Sequence, residues 1–113
     1  MVNALLRDLA RLAGDDAVTD APTDRSAYAH DLWPRQLLAT RADAPRPPGP
    51  RAVVLPSNTE QLAAIVSYAR RTGARVMPYG AGSGVCGALA FSDDVIAVDM
   101  KRMRTLHEVQ LER

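Results

Sequence analysis

The sequence predicts an α/β (α+β) fold in which an N-terminal helix precedes a strand–helix–strand–strand unit. Two observations carry that expectation. Three short apolar runs, "RAVVLP", "ARVMPYG" and "DVIAVDM", fall after residue 50, and a segment of helical periodicity separates the first from the second. Strand, crossover helix and strand in that order imply a right-handed parallel βαβ unit.

Asn3 to Ala13 reads as the first helix: Leu5, Leu9 and Leu12 recur at helical spacing, Leu6 and Ala13 widen the stripe, and Gly14 suits the position after the end. Its polar face carries both charge signs and no aromatic anchor, so it is expected to pack on its own protein rather than on a membrane. From Asp15 to Pro50 the periodicity fades, and "RADAPRPPGP" reads as an extended linker. Arg51 to Pro56 is a buried strand ended by proline. "SNTEQLAAIVSYARRTG" is the crossover helix, with Ser57 and Glu60 as a capping box, Leu62, Ile65, Val66 and Ala69 as the apolar face, Arg70 and Arg71 in the last turn and Gly73 at the stop. "ARVMPYG" and Asp94 to Met100 give the next two strands. Leu106 to Leu111 reads as the start of a further strand, which would leave an open sheet edge, so the chain is expected to be one piece of a longer protein.

Composition removes several function classes. A net charge of +1 over 113 residues, with arginines interleaved among acids, gives no basic stripe for nucleic acid. The single cysteine, Cys86, makes no internal disulfide, and no Cys/His group has zinc spacing, so no metal site is expected. Charges at Arg7, Asp8 and Arg11 interrupt any signal-peptide core, and no apolar run reaches the roughly 18 residues of a membrane span. The expected setting is the cytoplasm, or the periphery of a membrane for a longer protein that contains this chain. Aromatics make up only 4%, so the core must rest on Leu, Val, Ile and Ala.

The chemistry is concentrated in "RVMPYGAGSGVCGALAF", where Gly80, Gly82, Gly84 and Gly87 follow a strand. Gly82, Gly84 and Gly87 spell G-x-G-x-x-G, the spacing of a dinucleotide fingerprint. A nicotinamide site needs a helix directly after these glycines and an acid about 20 residues on. Only "ALAFSDD" lies between Gly87 and the next strand, and Asp99 arrives early. A phosphate loop of the lysine-containing kind fails because no lysine follows. A plain turn seldom needs so many glycines. Alternate glycines bare successive N–H groups, the makeup of an anion-binding nest, and Ser83 adds a hydroxyl.

Residues 17–112 resemble the opening of the FAD-binding domain of the FAD-linked oxidases, the superfamily of vanillyl-alcohol oxidase and p-cresol methylhydroxylase. The motifs that carry the resemblance are "VVLP", "TEQLAAIV", "PYGAGSGVCGA" and "VIAVDMKRM", in that order, with "YAHDLWP" similar to a Tyr-x-x-Asp lead-in upstream. The branch most similar in motif holds glycolate oxidase flavoprotein subunits, D-lactate dehydrogenases and alkyldihydroxyacetonephosphate synthase.

The resemblance implies a chain with a helical lead-in and Pro-rich linker over 1–45, and the first half of a PCMH-type FAD-binding domain, truncated at its C-terminus, over 46–113. It implies that Tyr79, Gly80, Ala81, Gly82, Ser83, Gly84 and Val85 lay their backbone against the FAD pyrophosphate, with Pro78 setting the entry. Some members attach FAD through a histidine in this loop. None occurs here, so binding is expected to be non-covalent. His30 and His107 read as surface or lightly packed, Cys86 as a small buried thiol, and Asp93 and Asp94 as solvated turn residues. No catalytic residue is assigned. Family members add a second FAD-binding half and a cap domain over the substrate, so this chain, alone inactive, would need those domains or a companion subunit. The implied reaction is oxidation of a 2-hydroxy acid or similar small molecule by hydride transfer to flavin. A nicotinamide-binding fragment and a non-enzymatic truncated homologue acting as an interaction module are the alternatives.

Overall fold

The protein is described by a computed structural model over residues 3–42 and 44–112. Its elements run α1 (Ala4–Ala13), β1 (Val18–Thr19), α2 (Pro22–Ala27), α3 (Pro34–Arg41), β2 (Ala52–Val54), α4 (Thr59–Thr72), β3 (Arg75–Tyr79) and β4 (Val95–Asp99), with single 3₁₀ turns at Asp15–Ala17 and Met100–Arg102. The four strands form one sheet in the order β1-β2-β4-β3. β4 is parallel to both neighbours, pairing Val53 with Ala97 on one side and Met77 with Ala97 on the other. The expected parallel unit is therefore present, with β4 inserted between the two strands that α4 connects. All five residues of β4 are buried, as a central parallel strand requires.

Strand alternation divides the apolar residues between two faces. Ala52, Val54, Ile96 and Val98 point to the side where α1 and α4 deliver Leu5, Leu9, Ala13 and Ile65. Val53, Val95 and Ala97 point to the other side, where Tyr79, Phe91, Tyr28 and Leu89 cover them. Phe91 and Leu89 belong to the stretch between Gly87 and β4, which runs extended across this face and forms no helix.

Several local expectations are corrected. The helix cap sits one residue later than the Ser57/Glu60 box. Asn58 is the extended N-cap residue, its Oδ1 accepts from Gln61 N at 2.9 Å, and Gln61 Oε1 accepts from Ser57 N at 2.8 Å. Val66 is 50% exposed, because the buried face of α4 centres on Ile65 and Ala69 with Leu62 and Tyr68 beside them. The Asp15–Pro50 stretch, read as aperiodic, contains β1, α2 and α3. The two helices are short, begin at Pro22 and Pro34 and have no buried residue, so they leave no apolar period to detect. Leu106–Leu111 forms no strand. Residues 105–112 stay exposed throughout, outside the four-stranded sheet.

Asp93 and Asp94 do lie in an exposed turn, but Asp94 is not simply solvated. The Ser92 hydroxyl and then the Arg75 guanidinium hold its carboxyl below the usual carboxylate range. Among the described residues no helix is long and apolar enough to cross a membrane.

Candidate functional site

The glycine stretch leaves the C-terminal end of β3, within the parallel β2-β4-β3 part of a sheet whose β1 is antiparallel, and loops at that end of parallel strands commonly bind ligands. Pro78 lies in β3 at the sheet edge, where its missing N–H interrupts no ladder. Tyr79 is buried under the loop, whereas Gly80, Ala81, Ser83, Gly84 and Val85 are exposed and Gly82 is half-buried. Gly82 has φ +65, and a Cβ there would run into the Tyr79 hydroxyl, so the backbone crosses directly over the ring. An alanine at this position would have both the backbone angle and the tyrosine against it.

Among the described residues, no main-chain amide from Ala81 to Cys86 donates to a protein acceptor, while Gly87 N donates to Asp31 Oδ2 at 3.0 Å. Six consecutive donors without a protein partner thus lie on a loop where Gly80, Gly82 and Gly84 carry no side chain, a composition that lets an anion approach the main chain. A Cβ placed on Gly80 would meet nothing within 4 Å, so this side of the loop is open. A surface hollow lies between α1 and β1 along Leu6, Ala10 and Val18, away from the loop. The loop itself is exposed over Gly80, Ala81 and Ser83 to Cys86.

Residues outside the loop hold it. Asp31, 1% exposed, accepts from Trp33 N at 2.9 Å through Oδ1 and from Gly87 N through Oδ2. Leu32 N donates to Gly84 O at 2.8 Å. Below the loop, Asp99 is fully buried and accepts from Tyr28 Oη, from Lys101 N at 2.9 Å and from Lys101 Nζ at 3.0 Å, which compensates its charge. The Tyr28 and Tyr79 rings meet edge to face at 4.6 Å, and the Lys101 ammonium sits 4.9 Å from the Tyr79 centroid and 5.1 Å from that of Tyr28.

These supports were invisible as a set in the sequence. Tyr28 and Asp31 lie in the "YAHDLWP" motif, which carried a signal but no role. Cys86, expected to be buried, is exposed, because the glycines around it carry the chain over the surface without a core to fill. His30 is half-buried, with Nδ1 2.9 Å from its neighbour's carbonyl, Asp31 O, and His107 is exposed. Neither lies in the loop.

Burial, then the hydrogen bond to Asp99 and the Asp99 charge, push the Tyr28 hydroxyl well above the ordinary phenol value. The unfolded chain therefore releases this proton first, near pH 10, while the folded chain keeps it. The contribution of Tyr28 to stability is complete below about pH 10 and declines as the pH rises further. Urea midpoints at pH 8 and pH 11 are expected to fall less in Tyr28→Phe than in the unaltered chain. An equal fall in both would remove Tyr28 as the group responsible.

A family profile described as an FAD binding domain matches residues 50–113. Alkyldihydroxyacetonephosphate synthase superposes in two crystal forms. In P212121 the TM-score is 0.80 at 25% identity over 93% of this chain and 20% of that one, and in P1 it is 0.82 at 23% over 98% and 22%. The structure of p-cresol methylhydroxylase with substrate bound matches with a TM-score of 0.71 at 18% identity, over 93% of this chain and 19% of its own. No curated protein matches the sequence. The chain spans about a fifth of the length of the solved chains it resembles.

Proposed function

We propose, from the premise that the chain belongs to the FAD binding domain family, that its glycine loop is the pyrophosphate wall of a flavin site. The observation that carries this is the row of amides from Ala81 to Cys86, which lack protein acceptors among the described residues and stand on an exposed loop at the C-terminal end of a parallel strand. The residues fit the group. Tyr79 sets the floor, Gly80, Gly82 and Gly84 carry no side chains, and the N–H groups of Ala81, Ser83 and Val85 alternate with them along the chain. The Ser83 side chain is exposed and supplies one further donor.

When bound, FAD supplies the acceptor for a hydride taken from a substrate C–H bond. The part of this chain is binding and orientation. A 2-hydroxy acid is the substrate class we assign to the complete enzyme, on the motif resemblance. No histidine occurs between Gly80 and Ala90, so no covalent link through a histidine of this loop is assigned. The remaining walls come from further FAD-binding and cap domains or from a companion subunit. The small share of the matched chains that this sequence spans supports that reading.

The 113-residue chain is accordingly expected to bind FAD weakly. Flavin fluorescence should show no saturation in the micromolar range, while millimolar FAD shifts the backbone amide signals of Tyr79 to Val85 in ¹H–¹⁵N spectra. A yellow, stoichiometric complex would overturn the single-wall reading. Shifts absent from this loop would overturn the assignment of the loop itself.

A further inference from the structure

Among the described residues, the six amides from Ala81 to Cys86 have no protein acceptors to set their directions. Their aim must come from anchors at the two ends of the loop. One anchor is Tyr79, beneath Gly82. The other is the segment from Asp31 to Trp33, which comes from the lead-in, some 50 residues earlier in the chain. From this arrangement we infer that Asp31 is a positioning residue for the glycine loop, fixing the direction of its donors without touching the ligand. The inference rests on the flavin reading of the loop for its functional meaning.

The geometry is specific to a carboxylate. Oδ1 accepts from Trp33 N at 2.9 Å and Oδ2 from Gly87 N at 3.0 Å, so both oxygens are committed to main-chain donors. Oδ2 also lies where a Cβ on Gly84 would stand only 3.5 Å away, so the same oxygen sits under the middle of the loop and at its exit. Leu32 N, the next residue, holds Gly84 O at 2.8 Å. The Trp33 ring then packs on Gly87, where a Cβ would come within 2.6 Å of Cε3. Three consecutive residues, 31 to 33, therefore fix Gly84 and Gly87 by hydrogen bond and contact. Between those two fixed glycines and the Tyr79 floor, the free amides have little conformational freedom left. Preorganised donors of this kind bind an anion without the cost of ordering the loop at the moment of binding.

An asparagine has the same shape but only one acceptor. Asp31→Asn must set an NH₂ group against either Gly87 N–H or Trp33 N–H, breaking one bond with no change in volume. The test is amide hydrogen exchange by NMR on the full chain. In the unaltered protein Gly87 N–H should exchange about tenfold or more slowly than Gly82 and Ser83, after correction for intrinsic rates. In Asp31→Asn that protection, or that of Trp33, should drop about tenfold, and the Ala81 to Val85 signals should move.

Asn3→Ala serves as the control. Its side chain caps α1 and lines a hollow with Gly73 and Asp94, at the end of the sheet opposite the loop. It should lower overall stability and leave the loop signals in place. Equal loop changes in both variants would reduce Asp31 to a general structural role and overturn the inference. So would a Gly87 amide that exchanges as fast as Gly82 in the unaltered chain, a result that needs no variant to fold. Millimolar FAD should shift the loop amides less in Asp31→Asn than in the unaltered protein. If neither FAD nor inorganic pyrophosphate moves them in the unaltered chain while the Asp31 effect on Gly87 persists, the flavin reading alone fails and Asp31 remains the residue that holds the loop.

Discussion

Replacing Gly87 with alanine is expected to cost about 3 kcal/mol and to redden the fluorescence of Trp33 in the folded state. Two independent penalties meet at this position. Gly87 has φ +75, a conformation that costs an L-residue about 1–2 kcal/mol. A Cβ would also lie 2.6 Å from Trp33 Cε3, 3.0 Å from Cζ3 and 3.1 Å from Cδ2. Those atoms belong to a rigid ring that cannot bend aside, so either the indole or the loop must shift, at a further cost of about 1–3 kcal/mol. Whichever moves, the bond from Gly87 N to Asp31 loosens and the indole, now half-buried, gains water. Trp33 is the only tryptophan in the chain, so its emission reports this site alone. Urea denaturation supplies the free energy. Gly80→Ala is the contrast, because a Cβ there meets nothing within 4 Å, and it should stay within about 0.5 kcal/mol. Unchanged stability and emission in Gly87→Ala would show that the indole does not pack on this glycine.

The contrast between these two glycines marks what was legible in the sequence. The loop itself was plain, because glycines at alternate positions after a short apolar run have few other uses. The strand that follows was plain too, from "VIAV" and from the shortness of "ALAFSDD", and it rules out the helix that a nicotinamide site needs. Much of what holds the loop was not legible, because the supports from the lead-in join residues far apart. Tyr28 reaches Asp99 across 71 positions, and Asp31 reaches Gly87 across 56. Periodicity reports only neighbours on one element, and α2 and α3 bury none of their residues. β1 is only two residues long and exists because Val18 and Thr19 find Val54 and Val53, a pairing with no local signature. Cys86 was misjudged for a related reason. Its intrinsic preference for burial lost to the loop, which has no interior around it.

The second large effect concerns the division drawn between residues 1–45 and 46–113. Leu9→Ala is expected to cost about 2–5 kcal/mol, a large part of the roughly 5–15 kcal/mol that holds a domain of this size together. Leu9 is completely buried, in one cluster with Ala52, Val54, Ile65, Ile96 and Val98 from the sheet and α4. The lead-in is bound further by the β1–β2 pairing, by Leu55 N donating to Ala17 O at 2.9 Å, and by Arg102 donating to Asp16 O at 2.9 Å. With these links, loss of the Leu9 side chain should destabilise the sheet and the loop together. Far-UV circular dichroism, which follows the helices, and Trp33 emission, which follows the loop, should shift to lower urea by the same amount and remain coincident. If ellipticity falls early while the Trp33 transition stays in place, α1 docks as a separate unit on a domain that begins near the proline-rich stretch. The outcome bears directly on the site. On the proposed flavin reading, a loop whose donors are aimed by residues 31 to 33 would need the lead-in folded before it could receive a pyrophosphate, and a single cooperative transition would be the physical form of that requirement.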